Sequence, residues 1–308
     1  MNPLAGNRIR LRHLRTFVEV ARQEGIGKAA ATLHVSQPAV TKAIQELEEM
    51  LGAALFVREG RRVRLTAAGE VFLPNATQAL TAIQRGVESV TAGDSGPPIR
   101  VGALPTVAAR VMPAAVAALV REPGAPPLRI VTGENDVLLE GLRSGALDLV
   151  VGRLAEPERM TGFYFEHLYS EQVVFAVRPG HPLARPGADA FAGLAGFPLL
   201  LPPPGSIIRP LVERFLLVHA VSRPSTIIET VSDSFGRAFV RGGDAVWAIS
   251  EGVVANDLAD GTLAALPLDT SATAGPVGLT MRTDASPPSG FDKVVLAIRR
   301  TAQVLTGR

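Results

Sequence analysis

Residues 27–52 read GKAAATLHVSQPAVTKAIQELEEMLG, the pattern of two short helices joined by a turn. The apolar residues of the second half recur at the spacing of one helix face: Val40, Ile44, Leu47 and Leu51. Ser36 stands where a hydroxyl can cap that helix, and Gly52 stands where the helix would stop. His34 and Val35 are placed in the turn. The stretch therefore predicts a helix-turn-helix.

Another amphipathic helix precedes this motif, with apolar residues at Leu14, Phe17, Val18 and Ala21. Gly25 and Gly27 are expected to end it. The second helix of the motif leaves a polar face in its N-terminal half, and polar side chains there suit base edges and phosphates. The candidate DNA-contacting residues are Ser36, Gln37, Pro38, Thr41, Lys42 and Gln45. The alternative is a bundle of three helices whose polar residues face only solvent.

Four arginines cluster just beyond the motif: Arg58, Arg61, Arg62 and Arg64. Val63 and Leu65 alternate with the last two of them, as in a two-stranded wing. Arginines on such a wing can face phosphate or the minor groove. The cluster therefore extends the predicted DNA-binding surface.

A long helix is predicted from Thr66 to about Thr91. Its apolar residues step by three and four, which is the spacing of a coiled-coil seam: Leu73, Ala76, Leu80, Ile83, Val87 and Val90. Such a seam favours pairing with a second copy of the chain, and packing against its own domain is the alternative. Pro74 is expected to kink the helix or to remove one hydrogen bond. Residues 93–98, GDSGPP, mark a domain boundary.

The remaining chain alternates between strand and helix patterns. Strands are predicted at 99–104, 128–131, 147–152, 173–177, 197–201, 226–230, 245–249 and 277–281, and helices at 107–120, 137–144, 207–219, 233–240 and 291–304. Such alternation is typical of a parallel-rich α/β sheet that binds ligands at the carboxyl ends of its strands.

Candidate ligand residues lie where these strands give way to helices. They are Thr106, Arg153, Pro204, Gly205, Ser206, Arg209, Val231 and Ser232. Helix N-termini carry free N–H groups, which bind anions. Together with the two arginines, they favour a small acid with more than one carboxylate as the ligand. Plain helix capping by Thr106 and Ser206, and surface ion pairs of Arg153 and Arg209, stay open as alternatives.

The net charge differs between the two parts of the chain. Residues 1–95 carry twelve Lys or Arg and nine Asp or Glu, a net charge of +3, whereas residues 96–308 carry nineteen and twenty, a net charge of −1. The positive excess lies at the predicted DNA-binding end and is modest, so tight binding is expected to need two copies of that domain.

Several classes of protein are disfavoured. The chain has no cysteine, which excludes disulfides, thiol catalysis and cysteine-ligated metal. Its five histidines show no paired metal-ligand spacing, and neither a Gly-x-Ser-x-Gly elbow nor a P-loop is present. We therefore expect no catalytic site, metal or cofactor. No apolar run reaches about 18 residues and no signal-peptide stretch is seen, so a cytoplasmic protein without membrane contact is expected.

Residues 11–66 resemble the DNA-binding domain of the LysR-type transcriptional regulators. The resemblance rests on Lys28-Ala29-Ala30, Leu33, Ser36-Gln37-Pro38-Ala39-Val40, Ile44, Leu47-Glu48, Leu51-Gly52, Leu55-Phe56, Arg58 and Leu65-Thr66-Ala67-Ala68-Gly69. Residues 25–27, Gly-Ile-Gly, depart from the family pattern, because many members cap the second helix with Ser or Thr. Glycine still permits a cap, so a weaker helix start is expected.

The resemblance implies an N-terminal all-α winged helix-turn-helix with a linker helix, followed by a two-lobed α/β effector domain like periplasmic solute-binding proteins. The implied domains are a winged helix-turn-helix at 8–66, a dimerising linker helix at 67–94 and an effector-binding domain at 97–308. Lobe one would span about 97–170 and 270–308, and lobe two about 171–269.

Within the family, nearly the whole chain resembles the regulators of protocatechuate catabolism through the β-ketoadipate pathway. The runs that carry this resemblance are 101–106, 130–135, 149–154, 165–171, 229–239 and 249–255. It implies an activator that responds to a carboxylated pathway intermediate and has as partners double-stranded promoter DNA, RNA polymerase and further copies of itself, as a homodimer or homotetramer. A sugar-uptake regulator of the galactose-binding-protein type is the alternative. A solute-binding protein fits only the second part.

Overall fold

The structure is a computed structural model that describes residues 9–59, 62–91, 96–222, 224, 226–285, 287–305 and 307. The chain divides into two compact units. The first comprises residues 1–97 with the short segment 143–146, and the second comprises residues 98–142 and 147–308. Within the described part of the chain, no helix is both long enough and apolar enough to cross a membrane.

The described part of the first unit contains three short helices, a two-stranded hairpin and a long helix. These elements are α1 (Leu11–Gln23), α2 (Ile26–Leu33), α3 (Gln37–Leu51), β1 (Phe56–Glu59), β2 (Arg62–Leu65) and α4 (Ala67–Thr91). Phe17 of α1 is fully buried at their centre. Its ring lies 5.3 Å from the ring of Phe56 on β1 and 5.3 Å from that of Phe72 on α4. One aromatic cluster thus joins the helices to the wing.

The ends of the helices follow local chemistry. The Ser36 hydroxyl accepts a hydrogen bond from the Ala39 N–H and so caps α3, while Gly52 ends it in the left-handed conformation with φ of 66°. The predicted end of α1 is wrong, because the helix stops at Gln23 and Gly25 instead caps α2. Glu24 takes the left-handed conformation, and its carbonyl accepts the Val63 N–H from the wing. This long-range hydrogen bond was invisible in the local sequence.

Helix α4 continues through Pro74. The first part of its apolar seam packs on the core of the first unit through Leu73 and Ala76. Further along, the side chains turn outward, and Ile83, Val87 and Val90 are 47%, 53% and 85% exposed. The predicted boundary at 93–98 lies partly outside the described residues, which leave out 92–95.

Among its described residues, the second unit contains two five-stranded sheets. The first has the order β4-β3-β5-β12-β6, and the second the order β11-β7-β10-β8-β9. The strands are β3 (Ile99–Ala103), β4 (Leu128–Thr132), β5 (Leu149–Arg153), β6 (Phe163–Glu171), β7 (Val173–Val177), β8 (Leu199–Leu201), β9 (Ile227–Glu229), β10 (Val246–Ser250), β11 (Ala264–Ala265) and β12 (Gly275–Arg282). The helices are α5 (Pro105–Leu119), α6 (Asn135–Arg143), α7 (Ala190–Gly193), α8 (Arg209–Val218), α9 (Asp233–Arg241), α10 (Glu251–Ala259) and α11 (Phe291–Leu305).

Both sheets are mixed. Three neighbouring strands are parallel in each, and the strands on one side of them are antiparallel: β12 beside β5, and β7 beside β10. The sequence did not predict β6 or α10. Strand β6 interleaves aromatic with charged residues and is only partly buried, so it has no continuous apolar run. Helix α10 follows a buried strand directly and shows little amphipathic periodicity to mark it.

The chain passes between the two sheets twice, once from β6 to β7 and once from β11 to β12. We call these connections, residues 171–173 and 266–274, the two crossovers. They are hydrogen-bonded to each other, because the Val173 N–H on the first donates to the Thr273 hydroxyl on the second at 2.9 Å. Thr273 is buried. The two sheets are therefore joined by a pair of tied connections.

Helix α10 approaches α5 closely at Gly252. A methyl group there would lie 2.7 Å from the Thr106 carbonyl oxygen and 2.5 Å from the Glu171 carboxylate. Real Cβ contacts of this length essentially do not occur, so only glycine fits between the two helices.

We expect Gly252→Ala to lower the free energy of unfolding of the second unit by about 1–3 kcal/mol, because the added methyl overpacks a backbone contact. The single tryptophan, Trp247, is buried in this unit, and its fluorescence in urea would report the change. Gly196→Ala is the matched control, since no described atom lies within 4 Å of its Cβ position. Equal effects of the two substitutions would contradict the close approach.

Candidate functional site

The polar face of α3 is open to solvent. Most of its predicted DNA-contacting residues are exposed, and Thr41 is half-buried. Thr41 and Gln45 line a small concavity of about 170 Å³, whose wall is formed by α2 and the wing. The structure thus brings the predicted residues of α3 to one accessible face, next to the hairpin that carries the wing arginines.

Two carboxylates for which no role was predicted fix α3 in place. Glu46 accepts hydrogen bonds from Arg12 and from the buried His13, each at 3.0 Å, which ties α3 to the start of α1. Glu48 accepts the N–H groups of Leu55 and Phe56 at 2.7 and 3.1 Å, which ties α3 to the wing. The sequence signals were limited: Glu46 stands four residues after Lys42, whose ammonium lies 4.0 Å from it, and Glu48 belongs to the family run Leu47-Glu48.

The wing is a short antiparallel hairpin. Val63 is buried, whereas Arg62 and Arg64 are exposed on the other side of β2. Arg61 and the side chain of Arg58 lie outside the described residues. Two of the four predicted wing arginines are therefore placed together on one solvent-facing side.

A cavity of about 580 Å³ opens between the two sheets of the second unit. Four helices begin at it, and Thr106 of α5, Asn135 of α6, Asp233 of α9 and Val253 of α10 line its walls. Helix N-termini present unpaired N–H groups and partial positive charge, so their convergence favours a negatively charged ligand.

The cavity includes some of the predicted ligand residues and not others. Thr106, Arg153, Ser206 and Val231 line it, whereas Pro204, Gly205, Arg209 and Ser232 do not. Pro202 and Pro203 line it in place of the next two residues of their loop. Asn135, Asp233, Arg237 and Trp247 line it without having been predicted, and only the positions of Asn135 and Asp233 at helix starts could have suggested them.

The predicted residues outside the cavity have other partners. Arg209 forms ion pairs with Glu213 at 2.6 Å and Glu229 at 2.7 Å, and it also donates to the Pro202 carbonyl. Ser232 caps α9 by accepting the Phe235 N–H at 3.2 Å. The Arg209 pairs are the surface ion pairs that were left open as an alternative, whereas a cap by Ser232 was not among the alternatives.

The floor of the cavity is a buried polar cluster. The Thr106 hydroxyl donates to the Glu171 carboxylate at 2.5 Å, and both residues are 4% exposed. Burial raises the pKa of Glu171 above its ordinary value, although the Thr106 hydrogen bond and the positive charge of Arg153 act in the opposite direction. Glu171 was not predicted as a site residue, because it ends β6, a strand that was not predicted.

Arg153 connects this floor to both crossovers. Its guanidinium donates to the Glu171 carbonyl at 2.6 Å on the first crossover and to the Thr273 carbonyl at 3.3 Å on the second. Its Nε lies 4.0 Å from the Glu171 carboxylate. The guanidinium that faces the cavity therefore also ties together the two connections between the sheets.

We expect Arg153→Met to lower the free energy of unfolding of the second unit by about 3 kcal/mol or more, because two buried carbonyls and a carboxyl group lose their partner. Arg159→Met is the control, since Arg159 pairs with Asp136 at the surface and such a pair contributes less than about 1 kcal/mol. Urea unfolding followed by Trp247 fluorescence measures both. If Arg153→Met lowers the free energy of unfolding by no more than Arg159→Met does, Arg153 does not stabilise the two crossovers.

Comparisons with known proteins cover the whole chain. The family description "Bacterial regulatory helix-turn-helix protein, lysR family" matches residues 11–70, and "LysR substrate binding domain" matches residues 92–303. The HTH-type transcriptional regulator PcaQ of Agrobacterium fabrum is 55% identical over 99% of each chain. The uncharacterized HTH-type transcriptional regulator YdcI of Escherichia coli K12 is 37% identical over 97% of this chain and 98% of its own.

Among solved structures, the fold matches CbnR, a LysR family transcriptional regulator, with a TM-score of 0.63 and 24% identity. The match covers 96% of this chain and 99% of CbnR. At this identity the likeness concerns the fold alone, and it includes both the helix-turn-helix part and the part that holds the cavity.

Proposed function

The chain belongs to the LysR family of transcriptional regulators, and from this premise we propose that it activates genes of protocatechuate catabolism in response to a carboxylated pathway intermediate. The observation that carries the proposal is the 55% identity to PcaQ over 99% of each chain. The cavity supports it, because four helix N-termini and Arg153 suit a small anion. A regulator of sugar uptake is the alternative that the test below addresses.

DNA recognition is assigned to the open face of α3 and to the wing. The exposed Gln37 and the half-buried Thr41 would reach base edges from the N-terminal half of α3, where side chains of a recognition helix enter the major groove. Arg58, Arg61, Arg62 and Arg64 would contact phosphate or the minor groove. The activity proposed is binding and regulation without enzymatic turnover, in the cytoplasm where promoter DNA lies.

Two or four copies are proposed to bind one interrupted palindrome. The exposed apolar residues Ile83, Val87 and Val90 on α4 supply a seam that a second copy would cover. Effector binding between the two sheets would favour a closed form of the second unit. That shift would change the spacing of paired DNA-binding units, and with it the bend of the DNA and the access of RNA polymerase.

Substitutions on the DNA-binding face should separate base reading from phosphate contact. We expect Gln37→Ala and Thr41→Ala to reduce the preference for operator over random DNA by roughly tenfold, since each removes a side chain placed at base edges. Arg62→Ala should weaken binding to both DNAs and lower the salt slope by about one.

Arg121→Ala, which removes an exposed arginine of the second unit, is the control for charge alone. Fluorescence anisotropy over a salt series on operator and random duplexes provides the measurement. Equal losses on the two duplexes for the α3 variants would rule out the recognition-helix assignment.

The effector class can be tested by calorimetry with protocatechuate, carboxymuconate, carboxymuconolactone and neutral sugars, beside a mobility shift on DNA upstream of the gene. We expect a carboxylate to bind and to alter the shift. Thr106→Ala should weaken that binding by roughly tenfold, the worth of a hydrogen bond to a charged group, and should leave DNA binding intact.

Thr283→Ala, which removes an exposed hydroxyl away from the cavity, is the matched control. If a neutral sugar binds and no carboxylate alters the shift, the proposal of an aromatic-acid regulator is wrong and a regulator of sugar uptake takes its place. An unchanged carboxylate affinity in Thr106→Ala would move the effector site away from the start of α5.

A further inference from the structure

We propose that Glu171 is a positioning residue for effector recognition, because its protonation decides whether the Thr106 hydroxyl donates to Glu171 or to the ligand. A carboxylate effector would then bind together with one proton, which Glu171 takes up. This inference rests on the proposed function, in which an anionic effector contacts Thr106 in the cavity.

The argument begins with the single hydrogen of the Thr106 hydroxyl. That hydrogen is donated to Glu171 at 2.5 Å in the structure. A hydroxyl has one hydrogen and two lone pairs, so while it donates to Glu171 it can present only lone pairs to the cavity. Lone pairs repel a carboxylate. Thr106 lines the cavity and yet is oriented against the ligand class that the helix N-termini favour.

Protonation of Glu171 reverses this orientation. A protonated carboxyl group is itself a donor, so its O–H can donate to the Thr106 oxygen. The Thr106 hydrogen is then free to turn toward the effector. The balance is simple: one proton from solvent joins the Glu171 carboxylate, no covalent bond between heavy atoms changes, and the bound effector stays ionised.

The surroundings of Glu171 suit a carboxyl group that changes protonation. It is 4% exposed, and its Oε2 has no hydrogen-bond partner among the described residues. An ionised oxygen without a partner is costly in such a place, whereas a protonated one is less so. The charged and polar groups that act on it come from four elements: Thr106 and Arg110 of α5, Arg153 of β5, Tyr169 of β6 and Ser250 of β10. Glu251 of α10 acts on Tyr169.

These groups divide by the direction in which they act. Burial favours the neutral acid and raises the pKa of Glu171, while the Thr106 hydrogen bond to Oε1, the nearby Ser250 hydroxyl and the charges of Arg153 and Arg110 favour the carboxylate. An anionic effector adds a negative charge next to Thr106. Like charges disfavour ionisation, so the effector raises the pKa of Glu171 further and draws a proton onto it.

The sign of the pH effect follows. At a pH where free Glu171 is ionised and bound Glu171 is neutral, the complex holds one proton more than the free protein. Affinity for a carboxylate must then fall as pH rises, by up to about tenfold for each pH unit. At lower pH, where Glu171 is neutral in both states, affinity should be independent of its titration.

The test is calorimetry of the full chain with carboxymuconate between about pH 6 and 9, in buffers with different heats of ionisation. The wild-type chain should take up close to one proton on binding and lose affinity with rising pH. Glu171→Gln should bind without proton uptake and with a flat pH profile, because its amide N–H donates to Thr106 at every pH. A merely structural role for Glu171 would lower affinity without changing either slope.

Glu166→Gln is the matched control. Glu166 lies on the same strand, β6, but its carboxylate pairs with Arg299 at 2.6 and 2.7 Å and is only partly buried. This variant should keep the proton uptake and the pH profile of the wild-type chain. Loss of the uptake in Glu166→Gln as well would overturn the assignment to Glu171.

The outcomes separate this inference from the proposed function. Carboxymuconate binding without proton uptake, or with the same uptake in Glu171→Gln, overturns the role of Glu171 and leaves the carboxylate-responsive regulator standing. No binding of any carboxylate at any pH overturns both. If Glu171→Gln does not fold, the infrared difference spectrum of the wild-type chain decides: a protonated-carboxyl band that appears with ligand supports the proposal, and its absence overturns it.

Discussion

The second unit depends on one buried cation, the guanidinium of Arg153. It donates to a carbonyl on each of the two crossovers, Glu171 and Thr273, and it lines the cavity between the sheets. Burying a guanidinium costs several kcal/mol, which hydrogen bonds to fixed partners must offset. The same group therefore faces the cavity and holds the two crossovers, the connections by which the described chain passes between the sheets.

The floor of the cavity extends this arrangement to Thr106. Its hydroxyl reaches Glu171, whose backbone carbonyl is one of the two held by Arg153. Gly252 brings the start of α10 against the same two residues, at a distance that a side chain would not permit. The cavity floor, the helix packing and the crossover thus share a few buried atoms. A change in charge at the cavity floor would therefore act, through direct contacts, on the crossover that joins the two sheets.

In the first unit, local sequence was a good guide. The cap at Ser36, the left-handed end at Gly52 and the apolar stripe of α3 all follow from neighbouring residues and appear as predicted. The end of α1 did not, because the left-handed Glu24 is held by a hydrogen bond from the wing. Glu46 and Glu48 look like ordinary surface carboxylates in the sequence, and only their partners on α1 and the wing reveal that they hold α3 in place.

Adjacent residues were enough to identify the family and the order of most helices and strands. Periodicity and capping are properties of adjacent residues, so they can be read along the chain. The tertiary structure alone decided which helix starts share a cavity. It placed Thr106 and Arg153 at the floor, turned Arg209 to Glu213 and Glu229, and brought Glu171 beneath Thr106 from 65 residues away. Contacts between distant residues depend on how the sheets are ordered, and no local pattern encodes that order.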